Sequence, residues 1–195
     1  MRTAWGYEVE SLEPLLSAQQ FDAMTGNAYS GDRRAESALR AASQAVRNYC
    51  GWHISPAMAC TAYPAGGGKV AKLPAAYVSA IESVTENGEE LDESSYEWRR
   101  DGLIKRKKSE EWSSDWDSIE VRYTAGYDIE AVPDLAEAVR AITESVMAVS
   151  AGVTSESADG VSISYSASAS SIAAALTASQ KSALDAYKVV SSHAA

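Results

Sequence analysis

The sequence is short of several residue types at once, and each shortage closes off a class of function. Its 195 residues include one phenylalanine, two cysteines, two histidines and five prolines. Cys50 and Cys60 are too few for a disulfide framework at this length, which fits a reducing compartment and leaves a single bridge between them open. Basic residues are outnumbered, 17 Lys and Arg against 27 Asp and Glu, for a formal charge of -10. A sequence-reading nucleic-acid binder needs clustered Lys and Arg to neutralise phosphates, so this chain should repel duplex DNA on average. No stretch approaches the roughly 18 uninterrupted apolar residues of a membrane span. The start, Met1 to Glu8, carries no signal-peptide apolar region, so use without secretion is expected.

What is present is an ordinary globular composition, 46% hydrophobic and 23% charged, long enough to bury a core without staples. Residues 1–31 read as an arm and a short helix, with Leu12, Leu15, Leu16 and Phe21 as its apolar stripe. A helix over 32–51 follows: Asp32 is a plausible N-cap, Leu39, Ala42, Val46 and Tyr49 recur at helical steps, and Gly51 ends it. Over 57–127 the period shifts towards two. Asn87-Gly88 marks one hairpin, Tyr96–Arg99 and Leu103–Arg106 a second, and Ile119–Tyr123 alternates as a half-buried strand. Pro133-Asp134 opens the main helix, 133–150, with Leu135, Val139, Ile142 and Val146 inward. Residues 151–195 form a Ser/Ala-rich arm and a last helix, where Thr177 and Gln180 have capping-box spacing. The expected fold is α+β, with a mainly helical core, a small antiparallel insertion, and an extended C-terminal arm plus terminal helix.

Signs of chemistry are thin. His193 lies in the tail, so nucleophilic catalysis would depend on His53 with Cys50, and a lone C-x-x-H lacks the paired spacing of a zinc site. Gly66-Gly67-Gly68-Lys69 suggests a phosphate loop, but Tyr63 stands where its first glycine belongs and Val70 where a hydroxyl is needed. Asp115 and Asp117, and the run Glu89, Glu90, Asp92 and Glu93, read as solvated turn residues. No catalytic residue, metal or cofactor is expected.

Two features suggest contact surfaces. Lys105, Arg106, Lys107 and Lys108 form a concentrated basic patch, read either as a charged edge that blocks strand pairing or as a contact for an acidic partner or DNA phosphates. Five Trp and ten Tyr supply rings with a polar handle, and Trp98, Trp112 and Trp116, set among charges, are hard to bury together.

Four stretches together resemble the head-to-tail adaptor, or connector, proteins of long-tailed bacteriophages: Ala41–Ile54, Val121–Leu135, Ser155–Tyr165 and Leu176–Tyr187. The resemblance implies a structural virion protein of the neck, not an enzyme. It implies a ring of about twelve copies that docks on the portal, extends the DNA channel and receives the next neck or tail-completion protein. Genomic DNA would pass through without specific binding, and no membrane is involved. The site would be the head–tail junction of the virion, reached from the host cytoplasm during assembly. The arm and last helix would reach the portal or a neighbour, so the candidate interface comprises Lys105, Arg106, Lys107, Lys108, Trp112, Trp116, Ile163, Tyr165, Leu184 and Tyr187. Competing readings are a head-closure stopper or tail terminator, and a small hydrolase using His53.

Overall fold

The structure, a computed structural model, describes residues 1–108, 110–150, 155–158, 161–164 and 176–189. The chain divides into two compact units. The first holds Met1–Leu12, Gly51–Asp128 and the residues from Tyr187 onward; the second holds Glu13–Cys50 and Ile129–Ala186.

The first unit is built on antiparallel strands. One sheet has five in the order β1-β2-β8-β4-β5: β1 (Tyr7–Glu8), β2 (Met58–Ala62), β8 (Ile119–Ala125), β4 (Val78–Glu86) and β5 (Glu89–Glu90). A second has three in the order β3-β7-β6: β3 (Val70–Lys72), β7 (Leu103–Arg106) and β6 (Tyr96–Trp98). The alternation along β8 has its expected consequence, since Ile119, Val121, Tyr123 and Ala125 are buried and the residues between them are not. Asn87 and Gly88 take φ of 54° and 83°, as a tight primed turn requires, and Thr85 pairs with Glu90 across it. The second expected hairpin forms too, with Tyr96 opposite Arg106.

In the second unit, α1 (Ala18–Met24) is held by a reciprocal capping box between Ser17 and Gln20 and buries Phe21. Leu15 and Leu16 are buried ahead of that helix. They are positioned by α2 (Arg34–Cys50), whose buried Ser43 Oγ accepts from the Leu15 N–H at 2.8 Å and whose Arg47 donates to the Glu13 carbonyl at 2.7 Å. Asp32 caps α2 by accepting from the Arg34 N–H at 2.9 Å; the Arg34 guanidinium hydrogen-bonded to its carboxylate, and after it that backbone bond, bring the carboxyl down to about 2. A stripe of small residues on α2, Ala35, Ala38, Ala42 and Ala45 with Leu39 and Val46, packs against α3 (Pro133–Ser150), which turns Leu135, Val139, Ile142 and Val146 inward. Among the described residues no helix is long and apolar enough to cross a membrane.

The α+β expectation holds, and the strand-bearing segment Gly51–Asp128 is inserted between the helical segments Glu13–Cys50 and Ile129–Ala186 as expected, but "mainly helical" does not hold: the strands build a compact unit of their own. The reason lies at long range. The N-terminal segment supplies β1, which pairs Tyr7 with Ala62, and the glycine-rich segment leads into β3, which pairs Val70 with Lys105. Both strands are too short to show a period of their own.

Candidate functional site

The basic run is split by the pleat. Lys105 points outward from β7 and pairs with Glu97 at 3.2 Å, both side chains being about half exposed. Arg106 points inward, its side chain 12% exposed, between Glu86 at 3.4 Å and Glu110 at 2.7 Å. Its guanidinium lies 5.3 Å from the centre of the Trp112 ring. Lys107 donates its backbone N–H to Ser95 O, and exposed Lys108 adopts φ of 55°. Because β7 is the central strand of its sheet, the reading of this run as a blocked edge is corrected.

Trp112 is corrected too. It is buried, and its indole N–H donates to the Ile104 carbonyl at 3.3 Å, so it belongs to the interior that Arg106 closes. Trp98 is half-buried, whereas Trp116 is 95% exposed. Leu184 and Tyr187 are buried as well, one in each unit. Leu184 closes α4 (Ala178–Leu184), which starts at the expected Thr177–Gln180 capping box and packs on α2 and α3. The Leu184 carbonyl accepts from the Cys50 thiol, and the Asp185 carboxylate accepts from Tyr49 Oη at 2.7 Å. In the first unit the Tyr187 carbonyl accepts from the Trp52 indole at 2.6 Å, and its ring meets Tyr127 edge-on. Leu184 and Tyr187 are therefore packing residues of their units. Ile163 lies in the backbone of β10 (Val161–Ser164), opposite β9 (Ser155–Ala158); its side chain and Tyr165 fall outside the described residues.

His53 is held as a structural residue. The Ala125 carbonyl, 3.0 Å from Nε2, can only accept, so Nε2 carries the proton. Nδ1 therefore accepts from the Tyr7 hydroxyl at 2.9 Å, and that hydroxyl accepts in turn from the His53 backbone N–H at 2.8 Å. Both ring nitrogens are occupied in an interior without solvent access, the reverse of a poised base. Cys50 and Cys60 form no disulfide, and both are buried; burial pushes the Cys60 thiol up to about 12, far from a reactive thiolate.

Gly126 closes this junction. Its φ is +113°, and a Cβ there would meet the Pro56 carbonyl at 2.4 Å and His53 Nε2 at 2.9 Å. The next residue, Tyr127, donates its N–H to Ile54 O at 2.7 Å and stacks on Tyr77 with ring centres 4.7 Å apart. Tyr7, Gly126 and Tyr127 carry the junction; Gly126 and Tyr127 fall within the Val121–Leu135 stretch that carries the resemblance, whereas no local pattern marks Tyr7.

The glycine loop is also accounted for by packing. Gly67 donates to Trp112 O at 3.0 Å, the Trp112 N–H donates to Gly68 O at 2.8 Å, and a Cβ on Gly66 would lie 2.0 Å from Ser113 O. Its glycines let two backbones meet. Among the described residues no group of three or more His, Cys, Asp or Glu side chains is placed to hold a metal ion.

The head completion protein family matches residues 15–188 of this chain. No protein with a curated description matches it. Among solved structures that share the fold are two from the necks of GTA particles. One is from the neck of an empty GTA particle computed with C6 symmetry, at 18% identity and TM-score 0.57, covering 86% of this chain and 93% of that one. The other is from the neck of a native GTA particle computed with C12 symmetry, at 16% identity and TM-score 0.51, covering 85% and 93%. With nearly its whole length matched, the chain belongs to the head completion protein family.

Proposed function

We propose that this head completion protein is a structural component of the phage neck that assembles as a ring, docks on the portal and joins head to tail. The observation that carries the reading is the family match over residues 15–188, which takes in both compact units. The GTA necks that share the fold were computed with C6 and C12 symmetry, which supports a ring. The interior chemistry agrees: His53, Cys50 and the glycine loop are all engaged in packing.

In such a ring the portal lies on one side and the next neck or tail-completion protein on the other. Genomic DNA passes through the lumen. A charge of -10 on each chain suits that passage, because a channel wall rich in carboxylates releases duplex rather than gripping it.

The test is imaging of assembled particles together with the native mass of the purified chain, with and without portal. Density for this chain against the portal, and a portal-bound ring, are expected. Density further along the neck would move the assignment to a stopper or tail terminator, and absence from particles would overturn the neck reading.

A further inference from the structure

Four large hydrophobic side chains stand exposed among the described residues, Met1, Met24, Val70 and Trp116, and Trp116 is the extreme at 95%. Its loop is tied down at both feet. Ser113 donates its N–H to Glu86 Oε1 at 2.7 Å, and Asn87 donates its N–H to Ser118 O at 2.8 Å. Between them Ser118 Oγ donates to Asp115 O, and Asp117 turns the backbone at φ of 54°. A tryptophan carries about 150–250 Å² of surface, and here nearly all of it is held in water. A fixed loop loses little freedom on docking, so it is suited to insert that ring elsewhere. Exposed Asp115 and Asp117 give the ring an acidic rim.

A complementary surface lies in the same unit, on the outward face of β3 and β7. Val70 is opposite Lys105 and Lys72 opposite Leu103, while the intervening pair Ala71 and Ile104 is buried. Val70 and Leu103 therefore share the outward face with Lys72 and Lys105. Val70 is 49% exposed, Leu103 is partly exposed, and exposed Lys69 precedes them. Lys72 donates to the Asp101 carbonyl, which fixes its ammonium. The Lys105–Glu97 pair is exposed and worth little, so it yields easily to a new carboxylate.

We infer that Trp116 of one copy docks on the Val70–Leu103 face of a second copy, with Asp115 and Asp117 meeting Lys72 and Lys105. The occupant is another copy because the chain itself carries both halves, an apolar knob rimmed by acids and an apolar spot rimmed by lysines. A head-to-tail contact needs two such different patches. The assignment rests on the ring proposed above and names its anchor. One tryptophan is not a whole interface, but central aromatic residues carry most of the energy of the interfaces they anchor.

The test uses the full chain, by sedimentation velocity and native mass over a concentration series reaching hundreds of micromolar. Trp116→Ala should weaken self-association about thirtyfold with an unchanged circular dichroism spectrum. The double variants Asp115→Lys/Asp117→Lys and Lys72→Glu/Lys105→Glu should each stay apart. Mixed in equal amounts they should assemble, since each reversed patch then faces its complement. A wild type that remains monomeric, variants that assemble like wild type, or a mixture that stays apart would each overturn the contact while leaving the neck reading intact. Rescue by mixing in a protein absent from particles would do the reverse.

Discussion

Tyr7→Phe isolates one hydroxyl in a buried junction of the strand unit. The ring stays, so its packing against Trp5 and His53 is kept and no cavity opens. What is lost is an oxygen that accepts from the His53 backbone N–H at 2.8 Å and donates to His53 Nδ1 at 2.9 Å. Both groups belong to a residue with no solvent exposure, so water cannot replace the lost partner. Depriving a buried polar group of a partner costs about 1–3 kcal/mol, and with two groups affected the expected loss is about 3 kcal/mol. For a chain of this size that lowers the melting temperature by about 6–12 °C. Urea unfolding followed by both far- and near-ultraviolet circular dichroism is the assay, because a chain with two compact units need not unfold in one step. Tyr63→Phe is the control: its hydroxyl reaches Glu120 at 3.3 Å from a partly exposed position, and its removal should cost under about 0.5 kcal/mol. If Tyr7→Phe costs no more than the control, the assignment of donor and acceptor around His53 is wrong.

Gly126→Ala should be costlier than Tyr7→Phe, because the added Cβ meets backbone at Pro56 as well as the His53 ring and the residue sits at positive φ; comparison of urea midpoints decides it. Cys60 should resist alkylation in the native chain and react on unfolding. Its folded value of about 12 exceeds the ordinary thiol value of 9.0, so the native state retains a proton that the unfolded chain releases. That contribution is complete below about 9 and is lost as pH climbs towards about 12. Cys60→Ala should accordingly flatten the alkaline fall in stability, measured as urea midpoints across that range; an unchanged slope would refute a buried protonated thiol.

Local pattern made α2, both hairpins, β8 and the α4 cap readable, since each is decided within a few residues by period, turn chemistry or capping. The remainder depended on partners distant in sequence. Tyr7 becomes a strand residue only because Ala62 is there to pair with it, and Val70 only because of Lys105. Trp112 and Trp116 have similar flanks, yet one lies beneath Arg106 and the other stands in water. The basic run looked like a single feature, but the pleat sends Arg106 to the interior and Lys105 to the surface. Its charge count was visible in the sequence; its division between two faces of a sheet depended on which strands flank β7.

Three of the four stretches that carry the family resemblance, Ala41–Ile54, Val121–Leu135 and Leu176–Tyr187, build the scaffold. Trp52, His53, Ala125, Gly126 and Tyr127 contact one another or share neighbours at the junction below β8, where a change of one atom meets backbone. Residues under that kind of constraint tolerate little substitution, and the fold they help to fix is shared with structures at 16–18% identity. The surfaces open to partners, the Trp116 loop and the outward face of β3 and β7, lie outside the stretches that carry the resemblance, and no packing demand fixes their side chains. The resemblance is thus carried by residues of the interior, whereas the exposed Trp116 loop and the outward face of β3 and β7 can change at little cost to the fold.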